Sequence, residues 1–140
     1  MARDRIQIRN DPAELRTMSL WLGKFGNDAA LAHSVRFALD LCANEAVSNI
    51  INYAYGDSEP HEIILELQTI DGGAQLTVTD DGVPFDLSNS PVRTPPETLD
   101  NAPIGGLGIQ LILRLSSDVR YERRGELSSA QLRKSSAAAV

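Results

Sequence analysis

The sequence predicts an α+β domain: a mixed sheet with helices packed on one face. Strand-like runs occur at the start, middle and end of the chain, separated by stretches with helical periodicity. Two of the runs flank "DGG", a hairpin signal, and the last two flank a turn near Gly125. The order is strand, helix, long helix, hairpin, loop, helix, hairpin, which suits one sheet backed by a helical layer.

The elements follow in order. "RIQIR" alternates polar and apolar residues, as an edge or half-buried strand does. "NDPAEL" supplies a helix start, with Asn10 or Asp11 as cap and Pro12 in the first turn, where a missing N–H costs nothing. Leu15, Met18, Leu22 and Phe25 then form a core-facing stripe that runs until Gly26. A second helix is expected from Asn27 or Asp28 to Tyr55, closed by Gly56 and long enough to hold a break. "HEIILELQTI" and "AQLTVTD" read as a hairpin, and the stretch from Asp81 to Gly108 as a loop, since it has no period and is rich in proline. "IQLILRLSS" is apolar enough for a buried helix, "DVRYERRGELSSAQLRK" makes two final strands, and residues 135–140 read as a frayed tail.

At 140 residues the chain fits one domain, 1–140, with a real core. Apolar residues make up 42% and charged residues 23%, the ordinary globular balance. A formal net charge of −6 argues against direct nucleic-acid binding and against anionic membrane surfaces, both of which need a basic patch. The one dense basic run, "RYERR", is interrupted by glutamate. A single cysteine, Cys42, excludes an internal disulfide framework and is expected to be a buried inert thiol. There is no apolar h-region at the start and no run near the ~18 residues of a membrane span, so a cytoplasmic location is expected.

Three constellations could carry chemistry. In "NEAVSNIINYAYGD", Glu45, Asn49 and Asn52 recur at spacings of four and three, which puts them on one helical face among apolar neighbours. A carboxylate there can act as a general base, and an amide oxygen suits a hard cation such as Mg²⁺; the plainer alternative is a solvated polar stripe. In "VTDDGVPFD", a strand delivers Asp80 at its end, and Gly82 permits a tight turn or a close ligand approach. That carboxylate can accept from an exocyclic amine, or the pair is an ordinary turn. In "PIGGLGIQLI", Gly105, Gly106 and Gly108 precede an apolar helix, where exposed N–H groups and the helix dipole favour phosphate; an unliganded hinge is the alternative. The spacing is not that of a Rossmann fingerprint or a P-loop.

Taken together, a helical E-x₃-N, then D-x-G after a strand, then GGxG opening a helix, resembles the three boxes of the GHKL (histidine-kinase-like) ATPases. Within that superfamily the chain looks most like the bacterial anti-sigma factor serine/threonine kinases, over nearly its whole length. The resemblance implies the Bergerat fold, a two-layer α/β sandwich with a mainly antiparallel sheet. It also implies ATP and Mg²⁺ as cofactors, Glu45 as general base, Asn49 as the metal ligand with Asn52 nearby, and Asp80 on the adenine amino group beside Gly82. Gly105, Gly106, Leu107 and Gly108 would close over the phosphates, with residues 87–104 as the ATP lid. The implied substrate is a serine or threonine of an anti-anti-sigma (STAS-type) protein, the implied second partner a sigma factor, and the implied assembly a homodimer. One departure stands out: Ser128 falls where the subgroup usually has asparagine, in a final strand with weak apolar alternation.

Two other readings use the same residues: a nucleotide-dependent protein-binding switch without transfer, and the ATPase domain of a histidine kinase. Neither His33 nor His61 sits in a phosphoacceptor pattern; His33 is expected as a surface or partly packed helix residue and His61 in a solvated turn. Trp21 and Phe25 are expected in the core or at a dimer contact.

Overall fold

In the computed structural model, which describes residues 2–56, 59–83 and 115–135, the opening alternation becomes strand β1 (Arg3–Arg9). The chain then forms α1 (Glu14–Asp28), α2 (His33–Tyr53), β2 (Glu62–Ile70), β3 (Gly73–Asp80), β4 (Asp118–Arg124) and β5 (Leu127–Ser135). The five strands make one sheet in the order β1-β2-β3-β5-β4. Every pairing is antiparallel, so the expected mixed character is absent among the described strands. The reason is topological: after β3 the chain re-enters at the far edge as β4, and the hairpin back through β5 supplies the antiparallel neighbour of β3.

Period-two alternation assigns the two faces. Ile8 on β1, Ile63, Leu65 and Leu67 on β2, Ala74, Leu76 and Val78 on β3, and Leu132 on β5 all point into the core. The helices supply Met18, Leu22 and Phe25 from α1, and Val35, Leu39, Cys42, Ala43, Ala46 and Val47 from α2. Both helices therefore cover one face, with α1 against β1 and α2 across β3. Each fully buried leucine or isoleucine contributes about 1.5–3 kcal/mol by leaving water. The opposite face carries Arg3, Arg5, Glu62, Glu66, Gln75, Thr77, Arg120 and Glu122, polar enough to stay wetted.

The α1 start is set by Asp11, whose Oδ1 accepts the Ala13 N–H at 2.9 Å and whose carbonyl accepts the Glu14 N–H. Asn10 serves elsewhere: its Oδ1 accepts the His61 N–H at 2.9 Å, tying the end of β1 to the lead-in of β2. Trp21 is half-buried, and its Nε1–H donates to Asp4 Oδ2 at 3.0 Å, so it anchors α1 on β1.

The helix boundary differs from the sequence expectation. Gly26 does not end α1; the helix runs on to Asp28, and the second helix begins only at His33. The break is a Schellman motif: Leu31 N–H bonds the Gly26 carbonyl and Ala30 N–H the Asn27 carbonyl. Ala30 takes the left-handed position at φ 51°. The expected signal there is glycine, and alanine at that place hid the boundary. In the β2–β3 hairpin the signal was explicit, and Gly72 takes φ 74°.

The final strand packs more fully than its weak alternation suggested. β5 pairs along its length with β3 on one side and β4 on the other, and sends Ser128, Ala130 and Leu132 inward. Cys42 is buried beside Ser116, with burial pushing its thiol pKa up, as an inert thiol requires. Leu115 marks the resumption of the described chain, packed against the core; the expected helix before it lies largely outside the described residues.

A left-handed alanine costs roughly 1–2 kcal/mol, of which glycine's greater freedom in the unfolded chain returns part. Ala30→Gly should therefore stabilise the domain by about 0.5–1 kcal/mol, seen as a melting temperature about 2–5 °C higher. An unchanged or lowered value would show that the left-handed turn at Ala30 is not the native one.

Candidate functional site

The end of α2 and the end of β3 meet at one place. Val83 N–H donates to the Ala54 carbonyl at 2.8 Å, just past the last turn of α2. Gly82 lies so close beneath that a Cβ on it would sit 2.6 Å from both Ala54 Cβ and Ala54 O. Any side chain at residue 82 would force these two elements apart, so the glycine is required for the closure itself.

That closure fixes the C-terminal end of α2 against the turn after β3. At 1.5 Å rise per residue, Asn49 stands about 7–8 Å and Glu45 about 13–14 Å back along the helix from Ala54. Glu45 and Asn49 are half-buried and Asn52 is exposed, so the face is wet only at its outer end. The Nδ2 of Asn49 is buried and has no hydrogen-bond partner among the described residues. A buried amide left unpaired costs roughly 1–3 kcal/mol. A solvated stripe has no such member.

Asp80 points to the same inner face from the last position of β3 and is 7% exposed. Its Oδ1 accepts the Gly82 N–H at 2.8 Å, which shapes the turn, while Oδ2 takes no hydrogen bond from the described residues. Burial pushes the carboxyl pKa up; the Gly82 N–H opposes this, neighbouring Asp81 adds to it, and Arg123 opposes it. The site thus presents a buried carboxylate with one oxygen committed to its own turn and the other available to a donor.

Several functional neighbours were not singled out from the sequence. Across the strands at this end, Asp80 of β3 pairs with Ser128 of β5, and Ser128 pairs with Arg123 of β4. Arg123 Nη1–H groups reach the Gly82 carbonyl and Ser128 Oγ, each at 2.7 Å, and its Nε–H the Gly125 carbonyl at 2.9 Å. Tyr121 O–H donates to Ser128 Oγ at 2.9 Å. The position of the missing asparagine is therefore filled by a buried serine that joins a polar network. The period of "DVRYERR" carried the signal, since it sets Val119, Tyr121 and Arg123 on one face.

His61 also departs from expectation. It is packed rather than solvated: its ring stacks on Tyr55 with centroids 4.0 Å apart, and its Nδ1 lies 3.4 Å from Asp81 Oδ1. The return from α2 to β2 brings it beneath the helix end and against the turn after β3. A groove of about 570 Å³ bounded by Arg9, His61, Glu62, Thr79, Asp80, Asp81 and Leu127 opens on the face that no described helix covers; Asp80 borders it, whereas Glu45 and Asn49 do not. His33 is exposed at the start of α2, as expected.

The residues present fit an adenine nucleotide with a metal. The orphaned Asn49 amide can turn by 180° to present Oδ1 in place of Nδ2, and the Asp80 carboxylate suits an amine. Gly105, Gly106, Leu107, Gly108 and the expected lid at 87–104 lie outside the described residues. No described helix is long and apolar enough to cross a membrane.

Comparison with known proteins places the family. Residues 8–134 match the histidine kinase-like ATPase domain family. The serine/threonine-protein kinase BtrW of Bordetella bronchiseptica is 34% identical over 92 residues, which cover 64% of this chain and 63% of BtrW. The serine-protein kinase RsbW of Oceanobacillus iheyensis is 31% identical over 123 residues, 85% of this chain and 78% of that protein. The alignment with BtrW thus spans a little under two thirds of that protein. Among solved structures, the RsbU and RsbW domains of Rv1364c from Mycobacterium tuberculosis share the fold, with a TM-score of 0.69 at 16% identity over 96% of this chain and 33% of theirs. The chain belongs to the histidine kinase-like ATPase family, among relatives that are RsbW-type serine-protein kinases.

Proposed function

We propose that this protein is an ATP- and Mg²⁺-dependent protein-serine/threonine kinase that phosphorylates an anti-anti-sigma partner and sequesters a sigma factor. The observation that supports the reading is the Gly82–Ala54 closure, which joins the C-terminal end of the helix bearing Glu45 and Asn49 to the turn that follows the buried Asp80. The names of the relatives support the kinase class.

The roles follow from chemistry. Asp80 Oδ2 accepts the 6-amino group of adenine, and Gly82 leaves room for the base. Asn49 Oδ1 is the protein ligand for magnesium, which neutralises phosphate charge during transfer. Gly105, Gly106, Leu107 and Gly108 supply N–H groups to the phosphates. The Glu45 carboxylate takes the proton from a serine or threonine hydroxyl of the partner as that oxygen bonds to the γ-phosphorus. The bond from that phosphorus to the β–γ bridging oxygen breaks, and ADP leaves. Transferred phosphate adds about two negative charges to the partner and weakens its contact with the kinase. We place the assembly as a homodimer acting in transcription regulation.

Glu45→Ala should leave ATP affinity within about threefold of wild type but slow transfer to the anti-anti-sigma protein by roughly 10²–10⁴. Calorimetry and a radiolabel assay would check both. Wild-type protein that binds ATP with Mg²⁺ yet never labels its partner would instead make it a nucleotide-dependent binding switch. Asn49→Ala should remove most of the Mg²⁺-dependent part of ATP binding in the same titrations.

Asp80 gives a prediction with a definite sign. Its carboxyl holds a proton more readily in the fold than in the unfolded chain. Stability from this group is therefore undiminished at acidic pH, falls as pH rises through the raised folded pKa, and is lowest at neutral pH. Asp80→Asn should weaken ATP binding at least about tenfold while raising the melting temperature at pH 7, with the difference shrinking toward pH 4. A variant melting below wild type at pH 7 would contradict this account of the buried charge.

A further inference from the structure

The side chain that grips the base-binding turn from beneath has no role in the scheme above. Arg123 comes from β4, two strands away from Asp80, yet it makes three hydrogen bonds with one guanidinium. Two go to backbone carbonyls, at Gly82 and Gly125, and one goes to the Ser128 hydroxyl. Only a planar fork of donors spans such a set; an ammonium does not. The Gly82 carbonyl and Ser128 Oγ are held by the same Nη1 atom at 2.7 Å each, which fixes the turn after β3 to the strand beside it. Gly82 N–H in turn fixes Asp80 Oδ1. The direction in which Oδ2 points therefore depends, through two hydrogen bonds, on Arg123.

We infer that Arg123 is a positioning residue of the nucleotide site: by clamping the Gly82 carbonyl to Ser128 it holds the Asp80–Gly82 turn in the shape that favours a 6-amino purine over a 6-oxo purine. The inference rests on the proposed role of Asp80 as the base-binding carboxylate. An amine at position 6 donates, and an anionic carboxylate accepts from it. A carbonyl at position 6 meets the same oxygen with repulsion, unless the carboxyl is protonated and donates. Selectivity thus requires Oδ2 to be both well aimed and charged.

Arg123 serves both requirements. Its positive charge opposes the burial that drives Asp80 toward its neutral form. The other charged groups at this end are Asp81, which acts in the opposite sense, His61, which lies 3.4 Å from Asp81 on the outer side, and Arg9 and Glu62, which line the groove there with Asp80 and Asp81. Helix α2 meets the turn through Ala54, an uncharged residue. Arg123 is the cation that touches this turn from the sheet side.

The test compares binding of ATP and inosine triphosphate, from pH 5 to 8, for wild type, Arg123→Gln, Arg123→Lys and, as a control, Arg124→Gln. Arg124 is exposed and paired with Glu122, so its variant should match wild type. Arg123→Gln should lose about tenfold in ATP affinity, the scale of one hydrogen bond to a charged group. It should also narrow the ATP-to-inosine ratio and move the acidic limb of ATP binding to higher pH. Arg123→Lys keeps the charge and should hold the limb at its wild-type position, with intermediate affinity. Unchanged affinity, ratio and limb in Arg123→Gln would overturn the inference. So would equal losses for both nucleotides with an unmoved limb, the mark of general structural damage. If Arg123→Gln does not fold, Arg123→Lys decides: a reduced ratio supports the inference, and wild-type affinity and ratio overturn it. Failure of the wild type to bind ATP at all would overturn the site reading and this inference together, which separates the two failures.

Discussion

The contact between Gly82 and Ala54 governs the geometry of the domain. A helical layer and a sheet can be stacked by apolar burial alone, and here the inward leucines and valines provide it. Burial is not directional, however, and does not decide which end of α2 meets which end of β3. The Val83–Ala54 hydrogen bond and the absence of a side chain at residue 82 decide that. Once the two ends are locked, Asp80 and Ser128 across the strands and Arg123 from the edge stand at the end of the sheet that meets the C-terminus of α2, the helix that carries Glu45 and Asn49. Small residues on α2 (Ala43 and Ala46) and at its C-cap (Ala54) let the helix lie low enough for this approach.

The rim is held at some cost to the fold. Asp80 is buried, with its ordinary ionisation opposed by its surroundings, and the Asn49 amide is buried without a partner in the described chain. A core optimised for stability alone would carry an apolar residue at each position. The two features lie on separate elements, Asp80 at the end of β3 and Asn49 on α2, whose ends the closure joins.

Much of this was legible in the sequence, for identifiable reasons. Strands announced themselves by alternation and the β2–β3 turn by glycine, because those signals are local. The Glu45/Asn49/Asn52 spacing and the Asp80–Gly82 pair could be read the same way. The α1–α2 break was legible but set a few residues early, at Gly26, because Ala30 adopts a conformation that its side chain disfavours and tertiary packing of Leu31 holds it there. The sheet's antiparallel closure was hidden as well, since the position of β5 beside β3 depends on a crossover that no local pattern records. His61 looked like a solvated turn residue because its partners, Tyr55 and Asp81, are brought to it only by the closure at Gly82.

Ser128 shows how a departure in sequence can preserve a structural function. The usual asparagine would bring both a donor and an acceptor to the strand beside Asp80. Serine is shorter, yet its hydroxyl accepts from both Arg123 and Tyr121 while remaining 3% exposed. A buried hydroxyl with no partners would cost roughly 1–3 kcal/mol; with two donors aimed at it, that penalty is removed. Two side chains of β4 thus fill both acceptor sites of one side chain of β5, and the same Arg123 Nη1 continues on to the Gly82 carbonyl. The weak apolar alternation of "LSSAQLRK" follows from this: at its site-proximal end, β5 is built to carry a polar network across the sheet, and only Leu132 and Ala130 are left to join the core.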